Sequence, residues 1–507
     1  MNFKTIVFLL AGILSMPAFY AQNITDAVRY SQDNIVGSAR FRALSGAFGA
    51  LGGDLSATSL NPAGSAVFND TYLSVTLSNS YVKNETDFFN GHDSNSNSFI
   101  EFTQIGSAFV FYNPNMNSSF EKFTFAITYD KTQDYTNDWT AHGINTNSID
   151  SYFMDYAQGQ RLSEISALPN ESISEAYSEI GTYYGSGNQQ AFLGYESYIL
   201  QPDNFDDDNT EYTSNIAEGT FNQNYIYSAT GYNGKIAFNL ATQANDKLYL
   251  GLNLNTHFIN YDRLTYLQES NSNRGSIVQN VNFENRLSTT GGGFSFQLGT
   301  IYKVTKNLRA GFTYDSPTWY NIQEETLQYI STIRDEGGRD INQIVNPKII
   351  NIHPEYQLQT PGRLGGSLAY IFGVQGLISF DYSYRDYGNS KFNSNYNSYF
   401  DDQNQIISNE LTGASTFAVG GEYRLKQLSL RGGYRFEESP YKNGVTVGDL
   451  SGYSVGLGYS FGATKIDVTF DQSQRDSEYQ LYNVGLIDDV SLDTRLSNIT
   501  FSISFAL

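Results

Sequence analysis

At 507 residues the chain is long enough for two or more soluble domains or for one large barrel with long loops. It holds no cysteine, which excludes disulfides, thiolate metal sites and a cysteine nucleophile, and its formal charge of −22 argues against a broad basic surface for nucleic acid. A mean hydropathy of −0.38 excludes a helical membrane bundle but not a transmembrane barrel, in which only alternate residues meet lipid.

Residues 1–21 read as a secretory signal peptide. Lys4 supplies the positive end, Thr5 to Met16 is mostly apolar and uncharged, and Ala21 before Gln22 offers a cleavage point. The apolar run is shorter than the roughly 20 residues of a membrane helix, and no later stretch reaches that length. Residues 22–69 are not strand-like. Gly and Ala crowd Gly37–Asp54 and permit close backbone packing, and Asn61-Pro62-Ala63-Gly64 forms a turn in which Asn caps and Pro presets φ.

From about residue 70 onward, period-two alternation dominates. Phe123, Phe125, Ile127 and Tyr129 share a face, as do Leu248, Leu250, Leu252 and Leu254, and the chain closes on Ile499, Phe501, Ile503, Phe505 and Leu507 with small or polar residues between them. Strands are predicted to begin near Thr71, Glu101, Lys122, Ser228, Lys247, Thr290, Leu308, Gly362, Leu377, Thr412, Leu428, Leu450, Lys465 and Leu492, about fourteen in all. Their connections alternate between tight turns, such as 244–246, 305–307 and 462–464, and long acidic loops rich in Asn, Ser and Asp. Short inner turns alternating with long outer loops predict an all-β fold, a transmembrane antiparallel β-barrel over residues 70–507 with a long extracellular insertion at about 131–227.

Inside that insertion, Ser172 and Glu175 fit a capping box, and Ile173, Ala176, Tyr177 and Ile180 then fall on one helical face. The stripe either packs over the barrel mouth or, through Ile173, Tyr177 and Ile180, forms a landing groove for ligand. Farther on, the run from Leu308 to Pro317 echoes the run from Leu430 to Pro440. In both, the arginine lies opposite the apolar row, so Arg309 and Arg431 point into the lumen, where they either pair with lumen acids or hold a ligand carboxylate. The four histidines, His92, His142, His257 and His353, have no metal-ligand spacing. His257 alone lies on a lumen face, where a barrel hydrolase would also need a serine and an orienting Asn. No catalytic residue, metal site or cofactor is expected, and Asp206-Asp207-Asp208 reads as a solvated loop.

The succession of signal peptide, small-residue segment, Asp54, Asn61-Pro62-Ala63-Gly64 and immediate alternating strands resembles the FadL-type outer-membrane transporter family. That resemblance implies a fourteen-stranded barrel in the bacterial outer membrane whose segment 22–69 folds inside as a hatch, with Asn61, Pro62, Ala63 and Gly64 as the hatch motif. It implies passive, diffusion-driven passage of hydrophobic small molecules, long-chain fatty acids or aromatic hydrocarbons. The expected surroundings are outer-membrane lipid and lipopolysaccharide, and the expected assembly is a monomer. It also implies sideways exit where the third strand kinks, although the stretch from Lys122 to Tyr129 holds no Gly or Pro to place a kink. A general porin and a surface adhesion or structural barrel are the competing readings.

Overall fold

The computed structural model describes residues 23–32, 34–115, 117–394 and 400–507, and the expected signal peptide lies outside them. Fourteen strands carry the architecture: β1 Tyr72–Phe88, β2 Gly91–Tyr112, β3 Phe120–Asp134, β4 Phe221–Ala244, β5 Leu248–Ser270, β6 Val278–Lys303, β7 Leu308–Asp315, β8 Arg363–Ile371, β9 Gly376–Asp386, β10 Gly413–Leu425, β11 Leu428–Glu437, β12 Val447–Ser460, β13 Thr464–Gln480 and β14 Asp489–Ala506. Each pairs antiparallel with the next. Strand β14 then pairs with β1 from Tyr72↔Ala506 to Asp87↔Ser491, which closes the barrel. Closure leaves no open sheet edge in lipid, where unpaired backbone groups have no water to bond. Among the described residues no helix is long and apolar enough to cross a membrane.

The alternation in the sequence becomes two surfaces. Phe123, Phe125, Leu250, Leu254, Phe294 and Leu298 are exposed on the outer wall, while Thr124, Asn253, Asn255 and Gln297 are buried on the lumen side. Phe102, Tyr129 and Phe258 stack across three strands at 6.0 and 6.1 Å and belong to the aromatic girdle at the outer edge of the lipid band. Above that girdle the strands continue. Strands β2, β4 and β6 begin at Gly91, Phe221 and Val278 rather than near Glu101, Ser228 and Thr290. Their outward residues there are polar, such as Ser94, Ser96, Asn222 and Asn282, because this part of the wall meets water and polysaccharide. The ladder goes on, as in Asn222↔Ser270, without the apolar half of the pattern.

Residues 23–69 lie in the lumen. Helix α1 (Ile24–Arg29) is closed by an Asn23–Asp26 capping box, α2 (Ala39–Ala43) is capped by Ser38, and α3 (Leu55–Leu60) is capped by Asp54. Asn61 then caps a 3₁₀ turn over Pro62–Val67 by accepting the Ala63 N–H. The wall is dented to receive this turn. A Cβ on Gly251 would stand 2.2 Å from the Pro62 carbonyl carbon, and one on Gly299 would stand 2.1 Å from Asn61 Oδ1.

The extracellular insertion is shorter than the expected 131–227, because β3 and its continuation reach Asn145 and β4 starts at Phe221. It holds α4 (Asp150–Ala157), α5 (Ile173–Tyr183) and α6 (Ser186–Glu196). The Ser172–Glu175 capping box starts α5 as its sequence predicts. Together these helices and the upper wall bury one large apolar cluster over the mouth of the barrel.

Candidate functional site

The floor of the lumen is a set of bonds between hatch and wall, and the buried charges lie in it. Arg40 Nε of α2 donates to Glu422 Oε2 at 2.9 Å, and Arg431 Nε donates to the same oxygen at 2.7 Å. Arg424 Nε reaches Glu422 Oε1 at 2.6 Å, and Arg431 also donates to Asp467 at 2.5 Å. Arg42 forms a two-pronged pair with Asp471 at 2.8 and 2.9 Å. Bonds that involve a backbone group complete the ring: Ala39 N–H to Ser502, Gly49 N–H to the Asp381 carboxyl, Asn253 Nδ2 to the Thr58 carbonyl and Asn239 Nδ2 to the Pro62 carbonyl. The turn itself is fastened by Asn61, whose Nδ2 donates to the carbonyls of Gly49 and Thr300.

Above the hatch lies a cavity of about 210 Å³ with a mixed lining, in which Ile35, Val36 and Leu60 stand beside Asp130, Lys235 and His257. Above that, the lumen turns aromatic. Tyr30 of the hatch meets Tyr135 and Tyr261 edge to face at 6.2 and 6.5 Å, and Trp139 stacks on Tyr227 at 5.0 Å. Among the described residues the Tyr135 hydroxyl has no hydrogen-bond partner.

The wall beside this aromatic layer is broken. The β2–β3 ladder ends at Gln104↔Asp130, and β3 stops at Asp134. The chain resumes as the strand Asn137–Asn145, which is paired in register with β4. Toward β2 it is held by side chains: the N–H groups of Thr140, His142 and Ile144 donate to Asn95, Asp93 and Asn90 at 3.0, 2.9 and 2.8 Å. Just above the last ladder pair, Lys131 bridges the seam to Glu101 at 2.8 Å, with both side chains largely buried. The hatch touches the same point, since Ser56 donates to Gln104, Gln104 to Asp130, and Ser59 to Asp130. The kink therefore falls at Tyr135-Thr136, above the stretch Lys122–Tyr129, and needs neither Gly nor Pro because Asn and Asp side chains replace the lost ladder. The signal for it in the sequence is the end of apolar alternation after Tyr129, facing the Asp93-Ser94-Asn95-Ser96-Asn97 run of β2.

The structure places the other singled-out residues as follows. Ile173, Tyr177 and Ile180 do not line an open groove: Tyr177 and Ile180 are buried in the cap core, Ile173 packs against it, and Tyr177 donates to Gln328. Arg431 is taken up by Glu422 and Asp467, and Arg309 donates to the Leu51 carbonyl of the hatch, so both bind protein groups instead of facing open lumen. His257 Nε2 lies 2.8 Å from Ser295 Oγ, and Asn255 donates to that same oxygen at 3.1 Å. Among the described residues the Asn255 oxygen has no partner, so this amide does not orient the imidazole as a triad would require. Among the described residues no group of His, Asp and Glu is arranged to hold a metal ion. At the extracellular end of β5, Glu269 accepts from Ser148, the Ile149 N–H and Gln223, which ties the cap to the wall. Burial pushes its carboxyl up to about 7 against the pull of these donors.

A sequence profile described as outer membrane protein transport protein (OMPP1/FadL/TodX) matches residues 207–502. Among solved structures, the fold is similar to a FadL homologue of Pseudomonas aeruginosa, 11% identical over 94% of this chain and 99% of that one, with a TM-score of 0.55. It is also similar to the toluene transporter TodX of P. putida, 14% identical over 93% of this chain and 99% of that one, with a TM-score of 0.51. No curated protein matches the chain.

Proposed function

The chain belongs to the FadL/TodX family of outer membrane transport proteins, and from that premise we propose that it carries hydrophobic molecules of the size of fatty acids or aromatic hydrocarbons out through the β2–β3 seam. The observation that carries this reading is the grouping of three features: the seam that opens above the last ladder pair Gln104↔Asp130, the aromatic residues Tyr135 and Tyr261 on the lumen side just above it, and the Phe102–Tyr129–Phe258 stack on the outer side. An apolar solute gains roughly 25 cal/mol for each Å² removed from water, so an aromatic lining draws it past the hydrated polysaccharide. Below the aromatic layer, the lumen is floored by a hatch bonded to the wall through buried ion pairs, which makes the downward path unfavourable for the same solute. A solute that moves sideways instead enters acyl chains, and no energy source is needed beyond its gradient.

Because the protein has no native cysteine, Glu101→Cys and Lys131→Cys can be bridged by a short bismaleimide across the seam. Uptake of labelled dodecanoate or toluene by cells carrying the protein should fall on bridging to the level of a deletion strain, while either single cysteine, blocked with a monomaleimide, keeps uptake. Undiminished uptake with the seam bridged would refute sideways exit, and no difference between wild type and deletion would refute the transport reading.

A further inference from the structure

We propose that the outer wall carries a binding site for the phosphate of an outer-leaflet glycolipid, formed by Lys83 of β1 and Arg495 of β14 where these two strands close the barrel. The site faces the membrane and involves no solute in the lumen, so it goes beyond the transport reading. Strand register fixes its level. Phe470, Ile499 and Ile100 form an exposed apolar row across β13, β14 and β2, with Asn79 of β1 between the last two. Tyr81, also exposed, stands in the next row up, and one row farther Lys83 and Arg495 stand directly opposite each other. The cations therefore lie at head-group level, at the extracellular edge of the lipid band.

A chain with 30 basic residues against 52 acidic ones here sets two cations side by side, and like charges directly opposite on adjacent strands repel. The row above offsets part of that repulsion: Lys83 Nζ lies 2.6 Å from Glu85, and Arg495 Nη2 lies 3.0 Å from Asp493 and 3.7 Å from Glu85. Ion pairs at a surface contribute little, and the two cationic side chains remain 35% and 40% exposed, so both keep donors that face outward. A phosphate at this level takes a point contact from the ammonium and a fork from the guanidinium. Asp476, Asp493 and Glu85 stand in one row directly above and repel an anion that sits any higher. The flanks suit a sugar: Gln474 and Ser96, in register with Arg495 and Lys83, both donate and accept, as hydroxyls require. Acyl chains below a phosphorylated sugar then lie on the row of Phe470, Ile499 and Ile100, and the bound lipid spans the closing pair of strands.

The test is native mass spectrometry of the full-length protein in mild detergent with three lipids: bisphosphorylated lipid A, the same lipid with both phosphates removed, and phosphatidylglycerol. The wild type should bind lipid A more tightly than its dephosphorylated form by roughly tenfold or more, as two cations near a charged lipid predict, and more tightly than phosphatidylglycerol by a smaller factor. The double variant Lys83→Gln, Arg495→Gln should lose the phosphate preference, and Lys83→Arg should keep it. Arg286→Gln, which removes an exposed cation of β6 paired with Glu284, should change nothing. Heat-modifiable migration in gels establishes that each variant is folded. Equal binding of lipid A and its dephosphorylated form, or a double variant that binds like the wild type, overturns the site. Equal binding of phosphatidylglycerol overturns the glycolipid assignment, and full displacement of lipid A by excess inorganic phosphate reduces the site to one for a small anion. Lipid A binding that survives the double variant but is lost in EDTA assigns the contact to the acidic row acting through divalent cations, and overturns the role of Lys83 and Arg495.

Discussion

Glu422→Gln weakens a charged anchor that ties the hatch to the wall. The Glu422 side chain is fully buried and accepts from Arg40, Arg431 and Arg424 at 2.6 to 2.9 Å. Bonds to charged groups contribute about 1.5–3 kcal/mol each, so the gross loss could reach about 9 kcal/mol. The net is smaller, because Arg431 keeps Asp467, Arg40 keeps its place over the Phe48 ring at 5.2 Å, and the glutamine oxygen still accepts one bond. Breaking a buried pair on one side costs about 3–5 kcal/mol, and that range is the expectation here. Only Arg40 among the three belongs to the hatch, so part of the loss falls on the wall, whose backbone ladder between β10 and β11 is unaffected. At 1.4 kcal/mol for each factor of ten, the share that falls on the Arg40 bond, about a third, should raise hatch opening by about tenfold. Hydrogen exchange should show the protection of hatch amides, Ala39 to Phe68, falling by that factor while the amides of β10 and β11 keep theirs. Planar bilayers should show ion-conducting openings absent from the wild type. Unchanged hatch exchange would refute the assignment of Glu422 as a charged anchor of the hatch.

Four other outcomes follow from the geometry. Gly251→Val should push against Pro62 and loosen the hatch by about 1–3 kcal/mol, seen as added bilayer conductance without loss of the folded barrel. Ligand entry should alter the fluorescence of Trp139, which is buried in the aromatic layer, and not that of Trp319 on the outer wall, so Trp319→Phe keeps the response and Trp139→Phe loses it. Removing Lys131 by Lys131→Met, with Glu101 then held by Ser80 alone, should loosen the seam and raise exchange at Thr140 and His142. Glu269 gives a pH dependence. Its folded value of about 7 lies above the usual carboxyl value of about 4.3, so its contribution is full below that lower value and fades as pH rises through the folded one. Proteolysis of residues 146–157 should therefore quicken between pH 5 and pH 8, and Glu269→Gln should flatten that dependence.

The strand count is legible in the sequence because lipid imposes a strict rule on every outward position: Leu250, Phe294 and Phe501 are there because nothing polar is tolerated. Where the wall rises above lipid the rule lapses, and the starts of β2, β4 and β6 are missed for that reason. The hydrophobic stripe of α5 shows that an apolar face must be covered, but periodicity does not say by what, and Tyr177 turns out to face Phe192 at 6.1 Å. Lumen arginines are similar. Phase puts Arg431 inside, whereas its partners Glu422 and Asp467 come from neighbouring strands whose register no single segment reveals. The seam is the least legible feature, because it consists of a ladder that fails to form, and what takes the ladder's place is a set of ordinary Asn and Asp side chains.

The ring of hatch contacts bears on how such a barrel is put together. The hatch bonds to Gln104 on β2, Lys122 on β3, Asn239 on β4, Asn253 on β5, Gln297 on β6, Asp381 on β9, Ser454 on β12, Asp471 on β13 and Ser502 on β14. A folded plug of this breadth does not thread through a finished ring, and the β1–β14 pairing that completes the ring joins the first strand to the last. The hatch is thus the spindle of the barrel: bonded to nine strands, it holds wall and core in one register, and the pairing of β14 with β1 encloses it.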